Sequence, residues 1–285
     1  MIYEHEIPNG SHLYFGPLAK LKREIEYKAS DYLQSVGFEE ISTPSFSYSQ
    51  HQSIDDSKKL ITLNDQQNNT LALRADSTLD VVRIITKRLG RATEHKKWFY
   101  NQPVFTYPSN ETNQIGLEWI EHEKISDIIN LNCKLFDILN LEPLIQIANI
   151  NIPLIISKNW DIDIVLFKNG EIGELSSLNL PWLDNLIKVE TSKDLEKTLS
   201  VLPDVLKSEC QKLIDIANEI EYKNVAISPI FYSAMRYYDD IYYKAIYENH
   251  TVAKGGGYSS NGINSLGFAL YTDNILKIKQ KGRDE

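Results

Sequence analysis

The sequence predicts an α+β domain with a mainly antiparallel sheet flanked by helices. Helix-like and strand-like segments interleave along its 285 residues without the regular alternation that produces a doubly wound fold. A hairpin-like pair of strands in the first half and a strand-rich C-terminal part both favour antiparallel pairing. The composition, 42% hydrophobic and 24% charged, is that of a globular protein and excludes disorder along the whole chain.

Charge, hydropathy and cysteine content exclude several classes of protein. With 30 Lys+Arg against 39 Asp+Glu, the net charge of −9 argues against general nucleic-acid binding, which needs many phosphate-neutralising contacts. No apolar run approaches the ~18 residues of a membrane helix, and the first residues lack a signal-peptide pattern. Cys133 and Cys210 cannot form a disulfide framework. We therefore expect a cytoplasmic protein with both cysteines reduced.

The first half of the chain opens with an amphipathic helix at about Pro17–Val36. Pro17 suits a first helical turn, and Gly37 suits the position just past a helix end. The pattern then predicts a strand at Phe38–Ile41, a strand at Thr70–Leu73, a helix at Thr78–Leu89 stopped by Gly90, strands at Trp98–Tyr107 and Gln114–Ile120 joined by a long polar loop, and a helix at Lys124–Leu139.

The middle of the chain does not continue the pattern of long strands and helices. Asn169-Gly170 is typical of a β-hairpin turn and predicts a hairpin with strands at Ile162–Phe167 and Glu171–Leu175. A charged helical stretch covers about Ser192–Tyr222 and is interrupted by Pro203.

We therefore interpret residues 157–222 as an insertion into, or an elaboration of, a single domain that spans 1–285. The C-terminal part is predicted to return to strands at Ile241–Glu248 and Asn264–Leu270, with a closing helix at Thr272–Lys281.

Two features that often indicate a bound group are weak in this chain. The run Gly255-Gly256-Gly257 meets neither phosphate-loop signature, and three glycines allow close approach either of a ligand or of a neighbouring strand. The six histidines show no spacing typical of metal ligands. We expect no metal and no cofactor.

A polar strand face is the most informative constellation in the sequence. Because successive strand residues point to opposite sides, Gln114, Gly116 and Glu118 share one face, with Ile115 and Leu117 on the other. Such a face forms either the floor of a pocket for a small polar ligand, with Gly116 giving clearance, or an ordinary exposed sheet surface. The pattern alone favours neither interpretation.

Several short motifs, taken in chain order, resemble those of a known enzyme family. The ordered set is Gly37-Phe38-Glu39-Glu40-Ile41-Ser42-Thr43-Pro44, Leu73-Arg74-Ala75-Asp76-Ser77-Thr78, Phe99-Tyr100-Asn101-Gln102-Pro103-Val104-Phe105, Gln114-Ile115-Gly116-Leu117-Glu118, Met235-Arg236-Tyr237-Tyr238, Gly255-Gly256-Gly257-Tyr258 and Gly267-Phe268-Ala269-Leu270. It resembles the catalytic core of class II aminoacyl-tRNA synthetases of the histidyl lineage. The similarity covers nearly the whole chain apart from the middle.

The departures from that family concern the residues that bind ATP. Thr106 and Asn274 stand where the second and third motifs carry arginines that contact ATP, and Ser233 stands where the histidine-specific motif opens with Arg. Losing three charged hydrogen bonds costs on the order of 6 kcal/mol, or about four decades in rate. Arg236 occupies a position where the family has Asp. The resemblance therefore implies that no catalytic residues are retained and that the chain is not an enzyme.

The resemblance implies that the chain retains a pocket for a histidine-like amino acid. The matching positions are, in chain order, Asp76, Thr78, Gln114, Glu118, Tyr237 and Tyr238. In the family the first two hold the ligand's α-amino group, the middle two lie near that group and the imidazole, and the tyrosines line the side-chain pocket. Carboxylates beside an ammonium or imidazolium form charge-assisted hydrogen bonds.

One family combines such a core with the lack of an anticodon-binding domain, namely the regulatory subunits of ATP phosphoribosyltransferase in histidine biosynthesis. Similarity to it implies a homodimer within a hetero-oligomer, activation of a catalytic subunit, L-histidine feedback, and no nucleic-acid or membrane partner. Gly257 and Ser259 depart from the Arg and Asp of this family. The alternative is a synthetase-like paralogue that binds an amino acid or acts as a small-molecule ligase unrelated to phosphoribosyl transfer.

Overall fold

The computed structural model describes residues 6–52, 57–90, 92–232, 238–260 and 262–284. The chain forms two compact units, one of Met1–Glu121 with Ala269–Glu285 and one of His122–Phe268. The single domain with an elaboration at about 157–222 stays a prediction. Within the described ranges, no helix has both the length and the apolar character required to cross a bilayer.

The N-terminal part of the first unit begins with helix α1, Gly16–Ser35, as predicted. Its buried residues Leu21, Ile25, Ala29 and Leu33 recur every four residues and form one apolar face. The elements that follow are β1 (Glu39–Glu40), β2 (Phe46–Tyr48), β3 (Thr62–Asn64), β4 (Thr70–Leu73), α2 (Thr78–Ile84, continued by a π-helical turn at Ile85–Leu89), β5 (Lys97–Thr106) and β6 (Asn110–Ile120).

Two sets of strands pair within this part of the chain. Strand β1 runs parallel to β5, and β5 pairs with β6 in an antiparallel ladder from Lys97 opposite Trp119 to Thr106 opposite Asn110. Strands β2, β4 and β3 form a separate antiparallel sheet with β4 in the centre.

The predicted long loop between β5 and β6 is wrong. Asn110 and Glu111 already pair with Thr106 and Phe105, so only residues 107–109 connect the strands. Asn110 is exposed at the end of the hairpin. The polar sequence therefore reflects exposure of the hairpin end, and it does not mark a break in the ladder.

In the ranges that the structure describes, the second unit contains five strands and a series of helices, most of them short. Its elements are α3 (Ile125–Ile138), β7 (Leu144–Asn149), α4 (Asn151–Trp160), α5 (Ile164–Asn169), α6 (Ile172–Ser177), α7 (Pro181–Ile187), α8 (Ser192–Thr198), α9 (Asp204–Glu219), β8 (Val225–Ile227), β9 (Tyr238–Tyr247), β10 (His250–Ser260) and β11 (Ile263–Tyr271). The strand order is β11-β10-β9-β7-β8. The β10–β9 and β9–β7 pairs are antiparallel, and β7–β8 is parallel.

The hairpin predicted around Asn169-Gly170 is wrong, because both flanking stretches are helical. The carboxylate of Asp163 accepts from the Val165 amide and caps α5. Gly170, at φ +68°, takes the left-handed conformation that ends this helix, and its amide bonds back to the Phe167 carbonyl. The Asn-Gly pair therefore acts as a helix C-terminal signal. The predicted helix interruption at Pro203 is confirmed, since α9 begins directly after it.

The chain returns to the first unit at Ala269, where helix α10, Thr272–Asp284, follows β11 and packs against α1 and β6. Asp273 in its first turn is buried. The Asp273 carboxylate accepts from the Asn113 backbone amide at 2.8 Å, from the Asn113 side-chain amide at 3.1 Å, and from the Tyr14 hydroxyl. The first unit is therefore closed by a segment from the far end of the sequence.

Candidate functional site

The predicted polar face on β6 is confirmed by the strand register. Gln114 pairs with Gln102, Gly116 with Tyr100 and Glu118 with Trp98, so all these side chains share one side of the hairpin. Glu118 is fully buried. The exposed-surface interpretation is therefore wrong for this carboxylate, which lies in the interior of the first unit.

The clearance above Gly116 is filled by the protein's own Tyr100. A Cβ built on Gly116 would lie 2.0 Å from the Tyr100 Cζ and 2.2 Å from its Oη, so the phenol ring lies directly over the glycine. Tyr100 is fully buried. Glycine at position 116 is thus required for the packing of an aromatic side chain across the strand pair.

The Tyr100 hydroxyl brings together three of the predicted ligand-binding residues. Burial is the largest cause that raises the pKa of Tyr100 well above its usual value, followed by the charges of Glu118 and Asp76, while the nearby Thr78 hydroxyl opposes this rise. The phenol is therefore neutral at physiological pH. Asp76, Thr78 and Glu118 form an acidic cluster around one neutral hydroxyl.

A buried amide supports the turn that carries Asp76 and Thr78. The Gln102 Nε2 donates to the Ser77 Oγ at 3.1 Å and to the Thr43 Oγ1 at 3.0 Å, while the Gln102 Oε1 accepts from the Thr43 amide at 3.1 Å. Neither Tyr100 nor Gln102 was predicted as a site residue. Their alternation along β5 predicts that they share one face of that strand, but only the register with β6 shows that it is the face of Gln114 and Glu118.

Arg74 lies beside the same turn, and among the described residues its guanidinium donates to backbone carbonyls and to one hydroxyl. Its Nε and Nη2 donate to the Pro103 carbonyl at 2.9 and 2.8 Å, and its Nη1 donates to the carbonyls of Thr43 at 2.8 Å and Pro44 at 3.1 Å, with the Thr43 hydroxyl at 3.1 Å. Its side chain is among the largest fully buried ones, and burial lowers its pKa. Arg74 therefore joins three backbone segments and is not positioned to bind a phosphate.

The other predicted positions are distributed over both units. Thr106 ends β5, and Asn274 lies in the first turn of α10, so both ATP-contacting positions of the family carry neutral side chains here. Ser233, Arg236 and Tyr237 lie outside the described residues. Tyr238 begins β9 in the second unit, and its side chain is also outside the description. The structure thus brings together Asp76, Thr78 and Glu118, with Gln114 on the same face.

The glycine run lies inside β10, and it serves close packing at Gly255. A Cβ there would lie 2.5 Å from the Tyr243 Cε1 and 2.7 Å from the Gly267 carbonyl oxygen. Tyr243 is fully buried. Of the two interpretations left open by the sequence, close approach of neighbouring strands and their side chains is confirmed at this position.

Comparison with known proteins gives consistent results at three levels. The histidyl-tRNA synthetase family model matches residues 15–163. An ATP phosphoribosyltransferase regulatory subunit from Wolinella succinogenes is 42% identical over 97% of this chain and 96% of its own length. A protein of the same name from Helicobacter hepaticus is 39% identical over 97% of this chain and 99% of its own length.

Solved structures agree on the fold. A Bacillus halodurans protein named as an ATP phosphoribosyltransferase regulatory subunit/histidyl-tRNA synthetase superposes with a TM-score of 0.84 at 19% identity, covering 97% of this chain and 84% of the other. A histidine–tRNA ligase subunit from Alicyclobacillus acidocaldarius gives 0.79 at 17% identity, with all of both chains covered. These likenesses confirm the predicted class II synthetase-like core. Together with the two full-length relatives, they show that the chain belongs to the family of ATP phosphoribosyltransferase regulatory subunits, which has a histidyl-tRNA synthetase-like fold.

Proposed function

We propose that this protein is a non-catalytic regulatory subunit of ATP phosphoribosyltransferase, which activates the catalytic subunit and contributes to histidine feedback. The observation that carries the proposal is the agreement in name of two relatives at 42% and 39% identity over nearly the full length of all three chains. A regulatory role of this kind requires that histidine bind two states of the assembly with different affinity.

The charges of the first unit support a role without adenylation. Adenylate formation needs positive donors directed at the phosphoryl groups. Thr106 and Asn274 are neutral, and Arg74 donates from all three guanidinium nitrogens to neighbouring protein oxygens. The described residues around the acidic cluster thus favour binding of a cation over binding of a triphosphate. Pyrophosphate exchange above background with any amino acid would favour the alternative, a synthetase-like ligase.

The acidic cluster supports recognition of an ammonium or imidazolium group. Asp76 and Glu118 both lie close enough to Tyr100 to raise its pKa, and Thr78 lies near the same hydroxyl. A carboxylate in a buried environment binds a cationic donor more strongly than it does in water. We propose that these residues, with Gln114, hold the amino group and imidazole of L-histidine. That Tyr237 and Tyr238 line the side chain of the ligand stays a prediction from the resemblance.

Titration calorimetry with L-histidine tests the ligand directly. We expect saturable binding to the native protein and at least about tenfold weaker binding to Glu118→Gln, which keeps the side chain's shape and removes its charge. Glu94→Gln is the matched control, because Glu94 is exposed in the same unit and its substitution should leave the affinity unchanged. Equal heats for native protein and Glu118→Gln, or no heat with either, would contradict the assignment.

Reconstitution tests the partner and the assembly. Native pull-down with mass spectrometry should recover a catalytic ATP phosphoribosyltransferase subunit, and adding this protein to that subunit should raise its rate and make the rate sensitive to L-histidine. Size-exclusion chromatography with light scattering should show a homodimer alone and a hetero-oligomer in the mixture. Failure to recover or activate any phosphoribosyltransferase would favour a stand-alone amino-acid-binding paralogue.

A further inference from the structure

A cavity lies entirely within the second unit, between the short helices, strand β7 and residues 228–231. Its volume is about 180 Å³. An apolar cavity of about 150 Å³ is large enough to bind benzene, so this one can hold a ring or a branched alkyl group. The walls are formed by buried apolar side chains, among them Phe167, Leu175, Val189 and Ile230.

The cavity also contains a polar group whose hydrogen bonding is incomplete. Gln146 on β7 and Ser228 both line the cavity. The Gln146 Nε2 donates a hydrogen bond to the Ser228 Oγ at 2.5 Å. The Gln146 Oε1 is buried and has no hydrogen-bond partner among the described residues. A buried carbonyl oxygen without a donor is unfavourable, so a ligand with an N–H or O–H group would gain by occupying the cavity.

A cation lies next to two of the residues that line this cavity. Lys244 on β9 is the direct cross-strand neighbour of Gln146. The Lys244 Nζ lies 4.3 Å from the ring centroid of Phe231, which lines the cavity and stacks on Tyr242. In the part of the chain that the structure describes, no carboxylate lies within 4.0 Å of this ammonium.

The environment of Lys244 favours an anion beside it. On its other side, its direct cross-strand neighbour is Lys254, and two like charges directly opposite one another in a sheet repel. Burial first, and then the charge of Lys254, lower the pKa of Lys244. An anion bound next to Lys244 would relieve this repulsion and supply the charge partner.

We propose that this cavity binds a small α-amino or α-hydroxy carboxylate with a ring-sized or branched apolar side chain. The carboxylate would pair with Lys244, the neighbouring N–H or O–H would donate to the Gln146 Oε1, and the side chain would fill the space between Phe167, Leu175 and Val189. This site is separate in sequence from the acidic cluster around Tyr100, and it does not depend on the proposed regulatory function.

The direct test is calorimetry with L-phenylalanine and phenyllactate as probes. Glycine, which lacks the apolar side chain, and 2-phenylethylamine, which lacks the carboxylate, are the control analogues. We expect saturable binding of L-phenylalanine or phenyllactate, and at least about tenfold weaker binding of both control analogues. No saturable binding of either carboxylate up to about 10 mM would overturn the proposal.

Two variants and a control test whether the carboxylate probes bind in this cavity. Lys244→Met should weaken it at least about tenfold, and Lys158→Met, at an exposed lysine of the same unit, should leave it unchanged. Ile172→Trp, at the partly exposed rim of the cavity, should block entry without disturbing the core, which keeps the test decisive if Lys244→Met does not fold. Binding that persists in both Lys244→Met and Ile172→Trp, or that is lost in Glu118→Gln, would overturn the proposal.

Discussion

Replacing Arg74 with Met should destabilise the first unit by about 4 kcal/mol, which is among the largest effects expected for a single substitution. The guanidinium of Arg74 satisfies the carbonyls of Thr43, Pro44 and Pro103 inside the protein. Methionine fills a similar volume but donates nothing, so it leaves these buried acceptors without their donor. Urea denaturation followed by circular dichroism measures the loss.

Two further variants separate charge from hydrogen-bond geometry at this position. Arg74→Lys keeps the positive charge but carries its donors on one nitrogen, so it should restore only part of the stability. Arg88→Met is the control, because Arg88 is exposed, and its effect should stay within about 0.5 kcal/mol. An Arg74→Met protein within 1 kcal/mol of the native one would show that these contacts contribute little.

Replacing Gly116 with Ala should cost about 3 kcal/mol, because the added methyl would lie 2.0 Å from a ring carbon of Tyr100. Tyr100 is fully buried and has no room to withdraw without displacing its neighbours. The expected result is a lower free energy of unfolding, measured in the same urea experiment.

A double-mutant cycle identifies Tyr100 as the cause. In a Tyr100→Ala background the space above position 116 is open, so Gly116→Ala should cost less than about 1 kcal/mol, a coupling of about 2 kcal/mol. Gly173→Ala is the control, because the residue is helical and, apart from its chain neighbours and its own helix backbone, no described atom lies within 4 Å of the added methyl. That substitution should stabilise by about 0.5 kcal/mol. Additive effects of the Gly116 and Tyr100 substitutions would contradict the proposed contact.

Elements with strong local signals could be predicted from the sequence. The apolar spacing that includes Leu21, Ile25, Ala29 and Leu33 predicted helix α1 and its buried face, and Pro17 and Gly37 predicted its ends to within a residue. The alternation along β6 gave the correct shared face for Gln114, Gly116 and Glu118.

The errors arose where one local signal has two structural meanings. Asn169-Gly170 is compatible with a hairpin turn and with a helix end, because both use the left-handed conformation, and only the surrounding contacts decide between them. In the same way, the clearance at Gly116 suits a ligand or an aromatic ring. The occupant, Tyr100, comes from the neighbouring strand, and its position depends on a cross-strand register that the sequence does not reveal.

The hydrogen bonds of Asp273 with Asn113 and Tyr14 have a consequence for the order of events during synthesis on the ribosome. The first unit consists of the start of the chain and its last seventeen residues, Ala269–Glu285. Although translation delivers N-terminal segments first, this unit can reach its native form only after the second one has been fully translated. A nonsense mutation after Phe268 would therefore leave the second unit's sequence whole and damage the N-terminal unit, which loses α10 and the Asp273 carboxylate.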